Sequence, residues 1–417
     1  MNVAITPAPL CGTLPAIPSK SDAHRLLICA ALADGPTELV LSQSSEDIDA
    51  TVNCLRALGA NIKWMENGLL VQPIESPAGV PVLDCGESGS TLRFLLPVAA
   101  AVCERATFTG RGRLPERPLS QLIEALKPHG VDFSSNKLPL TTKGLLQSGT
   151  FALPGNVSSQ YITGLLLALP VLSGDSTIKL TTALSSAAYV DITLNALQTF
   201  GVTIERLQDG FLVPGGGRFR SPIKVQVEGD WSNAAFFLCA AAIGGKITVT
   251  GLNQTSPQGD RRVVTILRRF GAHICETESG ITAKRSNLSG CEIDINETPD
   301  LLPALAVVAA FAEGETRFVN AARLRLKESD RLTSTANLIN ALGGQATELP
   351  DGLVVHGKRL TGGTVDSFHD HRIAMAAAVA ATGCSQPVII LDAGAAAKSY
   401  PAFYDDLKKL GGNVNVL

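Results

Sequence analysis

Several of the most apolar stretches of this 417-residue sequence are preceded by a short polar segment that contains cations. Lys20 and Arg25 lie in PSKSDAHR, Arg93 lies in GESGSTLRF, and Arg372 ends HDHR. The N-terminus of a helix presents free backbone N–H groups and the positive end of the helix dipole. Cations at such positions, together with serines and glycines, predict a binding site for small phosphorylated anions.

Each polar segment also has a plain structural interpretation. The serines beside Lys20, and those in SSQ at residues 158–160, could simply cap helices. The run KESDR at residues 327–331 could be a solvated helix start with local ion pairs. His371 could be structural, and Lys398 could be an ordinary surface lysine. The placement of these residues at equivalent points of a repeat is what favours a shared site.

The repeat is a phrase that recurs six times, in which an amphipathic helix ends in an apolar residue and glycine and is followed by an alternating strand, as in DITLNALQTFGVTI. The glycines of this phrase are Gly59, Gly130, Gly201, Gly271, Gly343 and Gly411. They are about 70 residues apart, a regularity typical of repeated structural units. Glycine suits this place because it adopts the left-handed conformation that ends a helix.

A second phrase precedes each copy of the first, and it consists of a polar onset followed by an almost wholly apolar helix, as in DWSNAAFFLCAAAIGG. A helix that is apolar on all sides is buried. Each unit therefore contains a buried helix, a strand, an amphipathic helix and two further strands. Three such units can enclose their buried helices in one lobe, so we predict a mixed α/β fold with two lobes of three units each.

The composition excludes several classes of protein. Apolar residues form 45% of the chain, too many for a disordered protein, and a net charge of −3 argues against a general nucleic-acid binder. The apolar stretches are shorter than the roughly 18 to 20 residues that span a bilayer, and the N-terminus does not resemble a targeting segment. The nine cysteines lack metal-ligand spacing, so we expect reduced thiols, no metal site and a cytoplasmic location.

The motifs together resemble the EPSP synthase family of the enolpyruvyl transferase superfamily, from the first strand to the C-terminus. The segments that carry this resemblance are PSKSDAHR, GESGSTLRF, ERP, SSQYITGLL, SAAYVDITL, EGDWSNAAFF, the PD of residues 299–300, LRLKESDRL, HDHRIAMA and AKSYPAFYDDL. The resemblance implies a two-lobed, inside-out α/β barrel of six βαβαββ repeats. It also implies an N-terminal lobe of residues 19–227 and a discontinuous C-terminal lobe of residues 1–18 and 228–417.

The resemblance further implies an enzyme that transfers the enolpyruvyl group of phosphoenolpyruvate to the 5-hydroxyl of shikimate 3-phosphate, in the shikimate pathway to chorismate and aromatic amino acids. The positions implied to bind phosphoenolpyruvate are Lys20, Gly89, Arg117, Gln160, Arg331, Arg372 and Lys398. Those implied to bind shikimate 3-phosphate are Ser21, Arg25, Ser158, Ser159, Gln160, Ser186, Tyr189, Asp300 and Lys327. No metal or organic cofactor, nucleic acid or membrane is implied as a partner, and we expect a monomer.

Addition followed by elimination of phosphate requires an acid for C3 of phosphoenolpyruvate and a base for the hydroxyl group. Glu328 and Asp300 occupy the catalytic carboxylate positions of the family, and Lys20 is a further candidate for proton transfer. We expect Asp300 near the hydroxyl and Glu328 near the methylene carbon. Four positions depart from the family pattern. Glu87 and Arg323 stand where asparagine is found in many or some members, Phe94 stands where proline is frequent, and Ser399 stands where threonine is common.

Two other functions compete with this interpretation. The sister enzyme that uses UDP-N-acetylglucosamine as acceptor shares the repeats but carries a reactive cysteine on the loop that here runs from Thr107 to Arg117 without one. A non-catalytic phospholigand-binding protein on the same scaffold would have lost a catalytic carboxylate or a phosphate-binding cation. Asp300, Glu328 and Lys398 are all present, so the sequence favours the shikimate enzyme.

Overall fold

Buried and outer helices alternate along the chain in the computed structural model, which describes residues 1–76 and 79–417. The α-helices of the described residues are α1 (Lys20–Ala31), α2 (Glu46–Ala57), α3 (Gly89–Val102), α4 (Ser120–Leu126), α5 (Ser159–Ala168), α6 (Ala187–Thr199), α7 (Trp231–Gly244), α8 (Val263–Arg269), α9 (Leu302–Ala310), α10 (Arg331–Ala341), α11 (His371–Gly383) and α12 (Phe403–Lys409). The odd-numbered helices are the predicted buried ones, and α9 is buried along its whole length. Within the described ranges, no helix is long and apolar enough to cross a lipid bilayer.

The strands are short, with two to five residues each. They are β1 (Val3–Thr6), β2 (Cys11–Pro15), β3 (Thr37–Val40), β4 (Asn61–Met65), β5 (Gly68–Gln72), β6 (Val82–Asp84), β7 (Arg105–Thr109), β8 (Asp132–Phe133), β9 (Leu140–Lys143), β10 (Thr150–Leu153), β11 (Ser176–Leu180), β12 (Glu205–Leu207), β13 (Gly210–Val213), β14 (Lys224–Gln226), β15 (Lys246–Thr250), β16 (His273–Thr277), β17 (Gly280–Lys284), β18 (Glu292–Asp294), β19 (Glu315–Val319), β20 (Gln345–Leu349), β21 (Gly352–His356), β22 (Gly363–Asp366), β23 (Val388–Leu391) and β24 (Asn413–Val416). Short 3-10 helices cover Leu114–Glu116, Lys127–His129, Leu169–Val171, Gly259–Arg262, Pro299–Leu301, Ala322–Leu326 and Ala393–Lys398.

The described strands form six four-stranded sheets that share one pattern. Their strand orders are β14-β3-β5-β4, β6-β7-β9-β8, β10-β11-β13-β12, β16-β17-β15-β2, β18-β19-β21-β20 and β22-β23-β1-β24. In the second sheet, β6 and β7 are parallel and are joined through α3, whereas β9 pairs antiparallel with β7 and β8. Parallel strands need a crossover of this kind, and antiparallel strands do not. The βαβαββ unit and the mixed α/β class are therefore confirmed.

Three sheets are completed by strands that are distant in the sequence. β14 pairs in parallel with β3, β2 pairs in parallel with β15, and β1 lies between β23 and β24. The chain divides into two compact units, Pro18–Val227 and Met1–Ile17 with Glu228–Leu417. Each unit contains three of the sheets and a hydrophobic core of its own. We call them the N-terminal unit and the C-terminal unit.

The marker glycines have the backbone conformation that the repeat predicts. All six have positive φ, from 75° at Gly201 to 105° at Gly59. A second glycine, Gly164, lets α3 and α5 approach each other closely. A Cβ atom on Gly164 would lie 2.3 Å from the carbonyl oxygen of Arg93. This contact brings the first turns of α3 and α5 together, and both turns carry predicted site residues.

The close approach of α3 and α5 predicts that Gly164→Ala destabilises the protein by about 1–3 kcal/mol, because the added methyl group forces the helices apart. Urea unfolding followed by circular dichroism measures the change. Gly244→Ala, in α7, is the matched control, since its Cβ would meet nothing within 4 Å. Identical unfolding midpoints for the two variants would contradict this account of the packing.

Candidate active site

The first turn of α1 in the N-terminal unit carries Lys20 and is fixed by a cap and an ion pair. The Ser19 hydroxyl accepts a hydrogen bond from the backbone N–H of Asp22 at 3.4 Å. Lys20 Nζ lies 2.8 Å from Asp47 Oδ2, in the first turn of α2, and the Lys20 side chain is only 15% exposed. The ion pair therefore holds the ammonium group at the N-terminal ends of both helices, where a bound anion is favoured.

Arg25 is buried one turn further along α1. Its guanidinium group donates to Ser21 O at 2.5 Å, to Thr193 Oγ1 at 2.8 Å and to Tyr189 O at 2.9 Å. Burial lowers the pKa of Arg25 to about 10, so the group remains cationic at neutral pH. Because these contacts are to protein oxygens, Arg25 joins α1 to α6 and positions Ser21 and Tyr189, two other residues expected to bind shikimate 3-phosphate.

Two guanidinium groups meet at the N-terminus of α3. A Cβ atom on Gly89 would lie 2.6 Å from Arg117 Nη1 and 2.7 Å from Arg93 Nη1. Arg93 Nη1 also donates to Gln160 Oε1 at 2.7 Å, and Gln160 Nε2 donates to Ser90 Oγ at 2.9 Å. The structure thus brings together three of the predicted residues, Gly89, Arg117 and Gln160. Only glycine leaves room for both arginines beside the free N–H groups of the helix.

Arg93, one of the cations that the sequence places at a helix onset, is absent from the residues implied to bind either substrate. Besides its bond to Gln160, its Nη2 donates to Pro118 O at 3.3 Å, and the same carbonyl accepts a hydrogen bond from the Tyr161 hydroxyl at 2.6 Å. These bonds fix the loop that carries Arg117. The sequence contained a usable signal, because Arg93 lies one helical turn after Gly89 and therefore on the same face of α3.

The serines of the N-terminal unit lie at the starts of α5 and α6. The Ser158 hydroxyl caps α5 by accepting from the backbone N–H of Gln160 at 3.3 Å, and Ser159 is buried behind it. Ser186 precedes α6 with a left-handed backbone, at φ 54°. Such a conformation costs a non-glycine residue roughly 1–3 kcal/mol and is concentrated at binding sites. The left-handed backbone at Ser186 supports its predicted role in binding shikimate 3-phosphate.

The C-terminal unit places one arginine among three carboxylates. Arg331, the first residue of α10, is 1% exposed. Its Nη1 lies 2.6 Å from Asp300 Oδ1, its Nη2 lies 2.6 Å from Glu328 Oε2, and its Nε lies 2.8 Å from Asp370 Oδ2. The two carboxylates predicted to be catalytic therefore bind adjacent nitrogens of a single guanidinium group, although Asp300 and Glu328 lie in different segments of the chain.

Electrostatics explain why this cluster is stable. Burial by itself lowers the pKa of Arg331. The negative charges of the three carboxylates together have the larger, opposite effect, so the pKa lies well above its ordinary value. A second cation, Lys327, lies 3.3 Å from Asp300 Oδ1 through its Nζ, and Ser329 Oγ donates to Asp370 Oδ2 at 3.0 Å. In this arrangement the Arg331 guanidinium group pairs with protein carboxylates and holds Asp300 and Glu328 in place.

Arg372 differs from Arg331 because it retains unused donors. It is 3% exposed, and its Nη2 lies 3.6 Å from Asp300 Oδ2. Its Nε and Nη1 are buried and find no hydrogen-bond acceptor among the described residues. A buried N–H group without an acceptor costs about 1–3 kcal/mol. A bound carboxylate or phosphate would satisfy both donors in the fork geometry that arginine favours.

Lys398 lies against the segment that leads into α11. Its Nζ donates to His369 O at 2.6 Å, and the lysine is 8% exposed. His369 and Phe368 both have positive φ, at 55° and 53°, so the backbone here turns in a way that few sequences favour. The contact places Lys398 beside the HDHR segment. Lys398 is therefore a buried residue and not an ordinary surface lysine.

Asp370 was also absent from the predicted site. It caps α11 by accepting from the backbone N–H of Arg372 at 2.9 Å while it binds Arg331. Two of the positions that depart from the family pattern, Glu87 and Arg323, contact other parts of the protein. A Cβ atom on Gly112 would lie 2.6 Å from Glu87 Oε2, so the Glu87 carboxyl packs on that loop. Arg323 Nη2 donates to Asn296 O at 2.6 Å.

Comparison with known proteins gives one family. A sequence model of the family described as EPSP synthase (3-phosphoshikimate 1-carboxyvinyltransferase) matches residues 5–407. Proteins named 3-phosphoshikimate 1-carboxyvinyltransferase from Clostridium kluyveri and Clostridium perfringens are each 43% identical over 99% of this chain and 98% of their own length. An EPSP synthase structure from Acinetobacter baumannii covers 100% of both chains with TM-score 0.83 and 27% identity. The enolpyruvyl transferase NikO from Streptomyces tendae, with TM-score 0.81 and 18% identity over 99% of this chain and 98% of its own, shows the fold alone.

The contact geometry at Gly89 predicts that Gly89→Ala raises the KM for phosphoenolpyruvate at least ~10-fold. The added methyl group displaces Arg117 or Arg93, and one charge-assisted hydrogen bond is worth about 1.5–3 kcal/mol. Steady-state phosphate release measures the change. Gly35→Ala is the control, because its Cβ would meet nothing within 4 Å. An unchanged KM in a folded Gly89→Ala variant would remove Gly89 and its two arginines from the binding site.

Proposed function

The chain belongs to the EPSP synthase family, and on that premise we propose how its own residues transfer the 1-carboxyvinyl group of phosphoenolpyruvate to the 5-hydroxyl of shikimate 3-phosphate. The observation that carries the proposal is the buried Arg331, which holds Asp300 and Glu328 on adjacent nitrogens. The reaction needs two proton-transfer groups that act at different atoms of the substrates. Two carboxylates held on one guanidinium group have fixed positions relative to each other and can serve this purpose.

In the addition step, the 5-hydroxyl oxygen attacks C2 of phosphoenolpyruvate, Asp300 accepts the hydroxyl proton, and Glu328 gives a proton to C3. The product is a tetrahedral intermediate that carries the phosphate on C2. The carboxylate and phosphate of the substrate add negative charge and favour the protonated form of Glu328 that the step requires.

In the elimination step, the bond between C2 and the phosphate oxygen breaks and phosphate leaves with the electron pair. The departing phosphate takes up the proton that Asp300 accepted from the hydroxyl group, which restores Asp300 as a base. C3 then returns a proton to Glu328, which restores the carbon–carbon double bond as an enol ether. Cations that face the leaving group stabilise its charge. We propose this role for Lys20, Arg117 and Lys398, with Arg372 as the fork that binds an anionic group of phosphoenolpyruvate.

The residues assigned to shikimate 3-phosphate are mostly hydroxyl and amide groups, namely Ser21, Ser158, Ser159, Gln160, Ser186 and Tyr189, together with Asp300 and Lys327. Hydroxyl groups match a phosphate and a polyhydroxylated ring. Arg25 acts through Ser21 and Tyr189, as its hydrogen bonds indicate. Arg331 likewise acts through its carboxylates. The assignment of both arginines as direct substrate ligands stays a prediction.

We further propose that the protein is a cytoplasmic monomer. All nine cysteines are free thiols, and thiols persist in a reducing compartment. Light scattering during gel filtration tests the oligomeric state, and a mass of about twice 43.6 kDa would contradict it.

The proton-transfer role of Glu328 predicts that Glu328→Gln lowers turnover at least ~100-fold, because glutamine keeps the shape and hydrogen-bonding capacity but cannot exchange a proton. Shikimate 3-phosphate should still bind, as measured by calorimetry. Phosphate release is assayed with shikimate 3-phosphate and, separately, with UDP-N-acetylglucosamine as acceptor.

The control is Glu315→Gln, which removes a glutamate that pairs with Arg317 at the surface of the same unit. Two results would contradict the assignments. Lost binding with normal turnover at saturation would make Glu328 a binding residue. Phosphate release by the wild type with UDP-N-acetylglucosamine as acceptor, and none with shikimate 3-phosphate, would indicate the sister reaction.

A further inference from the structure

Asp260 is a buried carboxylate that the mechanism above does not use. It lies in the 3-10 helix Gly259–Arg262 of the C-terminal unit and is 3% exposed. The Ser232 hydroxyl donates a hydrogen bond to its Oδ2, whereas its Oδ1 is buried and accepts no hydrogen bond from the described residues. A carboxylate in this state is costly when ionised. Its surroundings must therefore supply a compensating charge or a proton.

The compensating charge is Arg372. Ser232 and Phe236 are one turn apart on α7 and so lie on the same face of that helix. Ser232 binds Asp260, and the guanidinium carbon of Arg372 lies 5.7 Å from the centre of the Phe236 ring. Asp260 and Arg372 therefore occupy the same side of α7. Arg372 is the arginine whose Nε and Nη1 are left for an anion.

Three charged groups from separate elements, Asp300, Asp230 and Arg372, act on Asp260. With burial, they bring its ionisation into the neutral pH range. Burial raises the pKa of Asp260 to about 7, Asp300 and Asp230 act in the same direction, and Arg372 acts against them. The other charged residues of its own 3-10 helix, Arg261 and Arg262, are exposed. The Ser232 hydroxyl, on α7, favours the ionised form of Asp260.

The chain before Asp260 is fixed and cannot easily move the carboxylate away. Gln258 Nε2 donates to Gly229 O at 2.9 Å and to Glu228 Oε2 at 3.1 Å, while Gln258 Oε1 accepts from the backbone N–H of Trp231 at 3.1 Å. These bonds tie the loop to the segment that begins α7. Asp260 is thus held against the start of α7, where the Ser232 hydroxyl donates to its carboxylate.

We propose that Asp260 is a positioning residue for this reaction. Through its effect on Arg372, Asp260 controls how tightly the anionic group of phosphoenolpyruvate is bound. Ionised Asp260 places a negative charge behind the guanidinium group and opposes the incoming anion. Protonated Asp260 leaves the full positive charge of Arg372 to the substrate. This inference rests on the proposed function, because it concerns the binding of phosphoenolpyruvate at the same site.

The test compares the KM for phosphoenolpyruvate in wild type and Asp260→Asn between pH 6 and pH 8.5. Asparagine accepts the Ser232 hydrogen bond but carries no charge. The folded-state pKa of Asp260 is raised to about 7, so the charge that opposes binding is absent at pH 6 and present at pH 8.5. The ratio of wild-type KM to variant KM should be near one at pH 6 and should rise to about tenfold at pH 8.5. The titration of phosphoenolpyruvate itself is common to both enzymes and cancels in this ratio.

A second variant keeps the proposal testable if Asp260→Asn does not fold. Ser232→Ala leaves the carboxylate but removes the hydrogen bond that favours its ionised form, so the rise in KM should move to higher pH. Asp406→Asn is the control, since Asp406 is equally buried in the same unit but binds Tyr400 and Lys409. Its profile should match the wild type.

Two outcomes would overturn the proposal. A KM ratio that is the same at every pH would mean that Asp260 has only a structural role. An unshifted pH profile in Ser232→Ala would mean that another group controls the binding. Failure of the proposed function itself is distinguishable, because the wild type would then release no phosphate from phosphoenolpyruvate with shikimate 3-phosphate.

Discussion

The arrangement of carboxylates in the C-terminal unit depends on one buried cation. Arg331 is 1% exposed and binds Asp300, Glu328 and Asp370 at once. A buried charge is tolerated only when it is paired and hydrogen-bonded, and removal of one partner typically costs about 3–5 kcal/mol. The three partners belong to segments that are far apart in the sequence, so a single guanidinium group connects the start of α10, the cap of α11 and the 3-10 helix before α9. The interaction that stabilises these helix starts is also the one that places the two candidate proton-transfer groups.

The polar residues at the starts of the buried helices are of two kinds. Some are hydrogen-bonded to other protein groups and stabilise the fold, whereas others have donors that remain for a ligand. Arg25 and Gln160 are bound by protein groups at short distances and hold neighbouring helices in place. Arg372 is buried with two donors that bind no protein acceptor among the described residues, which is the state expected of a group that awaits an anion. Gly89 also belongs to the ligand-site group, since its missing side chain leaves space for two guanidinium groups at the start of α3. The repeat places a helix N-terminus at each of these points, and the individual residues there determine whether it stabilises the fold or binds a ligand.

The local parts of the structure could be predicted from the sequence, and the long-range parts could not. The spacing of the marker glycines and the wholly apolar helices predicted six units, each with a buried helix, a strand, an amphipathic helix and two further strands, in a mixed α/β fold. The structure contains these elements in that order, with β1 as the last strand of the sixth unit, because a helix C-terminus and a buried helix are each encoded within a few residues. The partners of β1, β2 and β14 were not visible, since each completes a sheet whose other strands are distant in sequence. For the same reason the sequence did not show that Asp370 binds Arg331 or that Asp260 and Arg372 are on the same side of α7. The family and its reaction were predicted from motifs and agree with the comparisons, whereas the individual roles of the site residues stay predictions.

The central claim is that Glu328, held by Arg331, exchanges a proton with C3 of phosphoenolpyruvate. The most direct measurement is the incorporation of deuterium into the methylene group when phosphoenolpyruvate and shikimate 3-phosphate are incubated with the protein in deuterium oxide, followed by nuclear magnetic resonance. The intermediate has a methyl group at C3, so the wild type should place solvent deuterium in the methylene group of the product. Glu328→Gln should bind shikimate 3-phosphate and yet incorporate almost none. Incorporation by Glu328→Gln at the wild-type rate would contradict the account, because another group would then move the proton at C3.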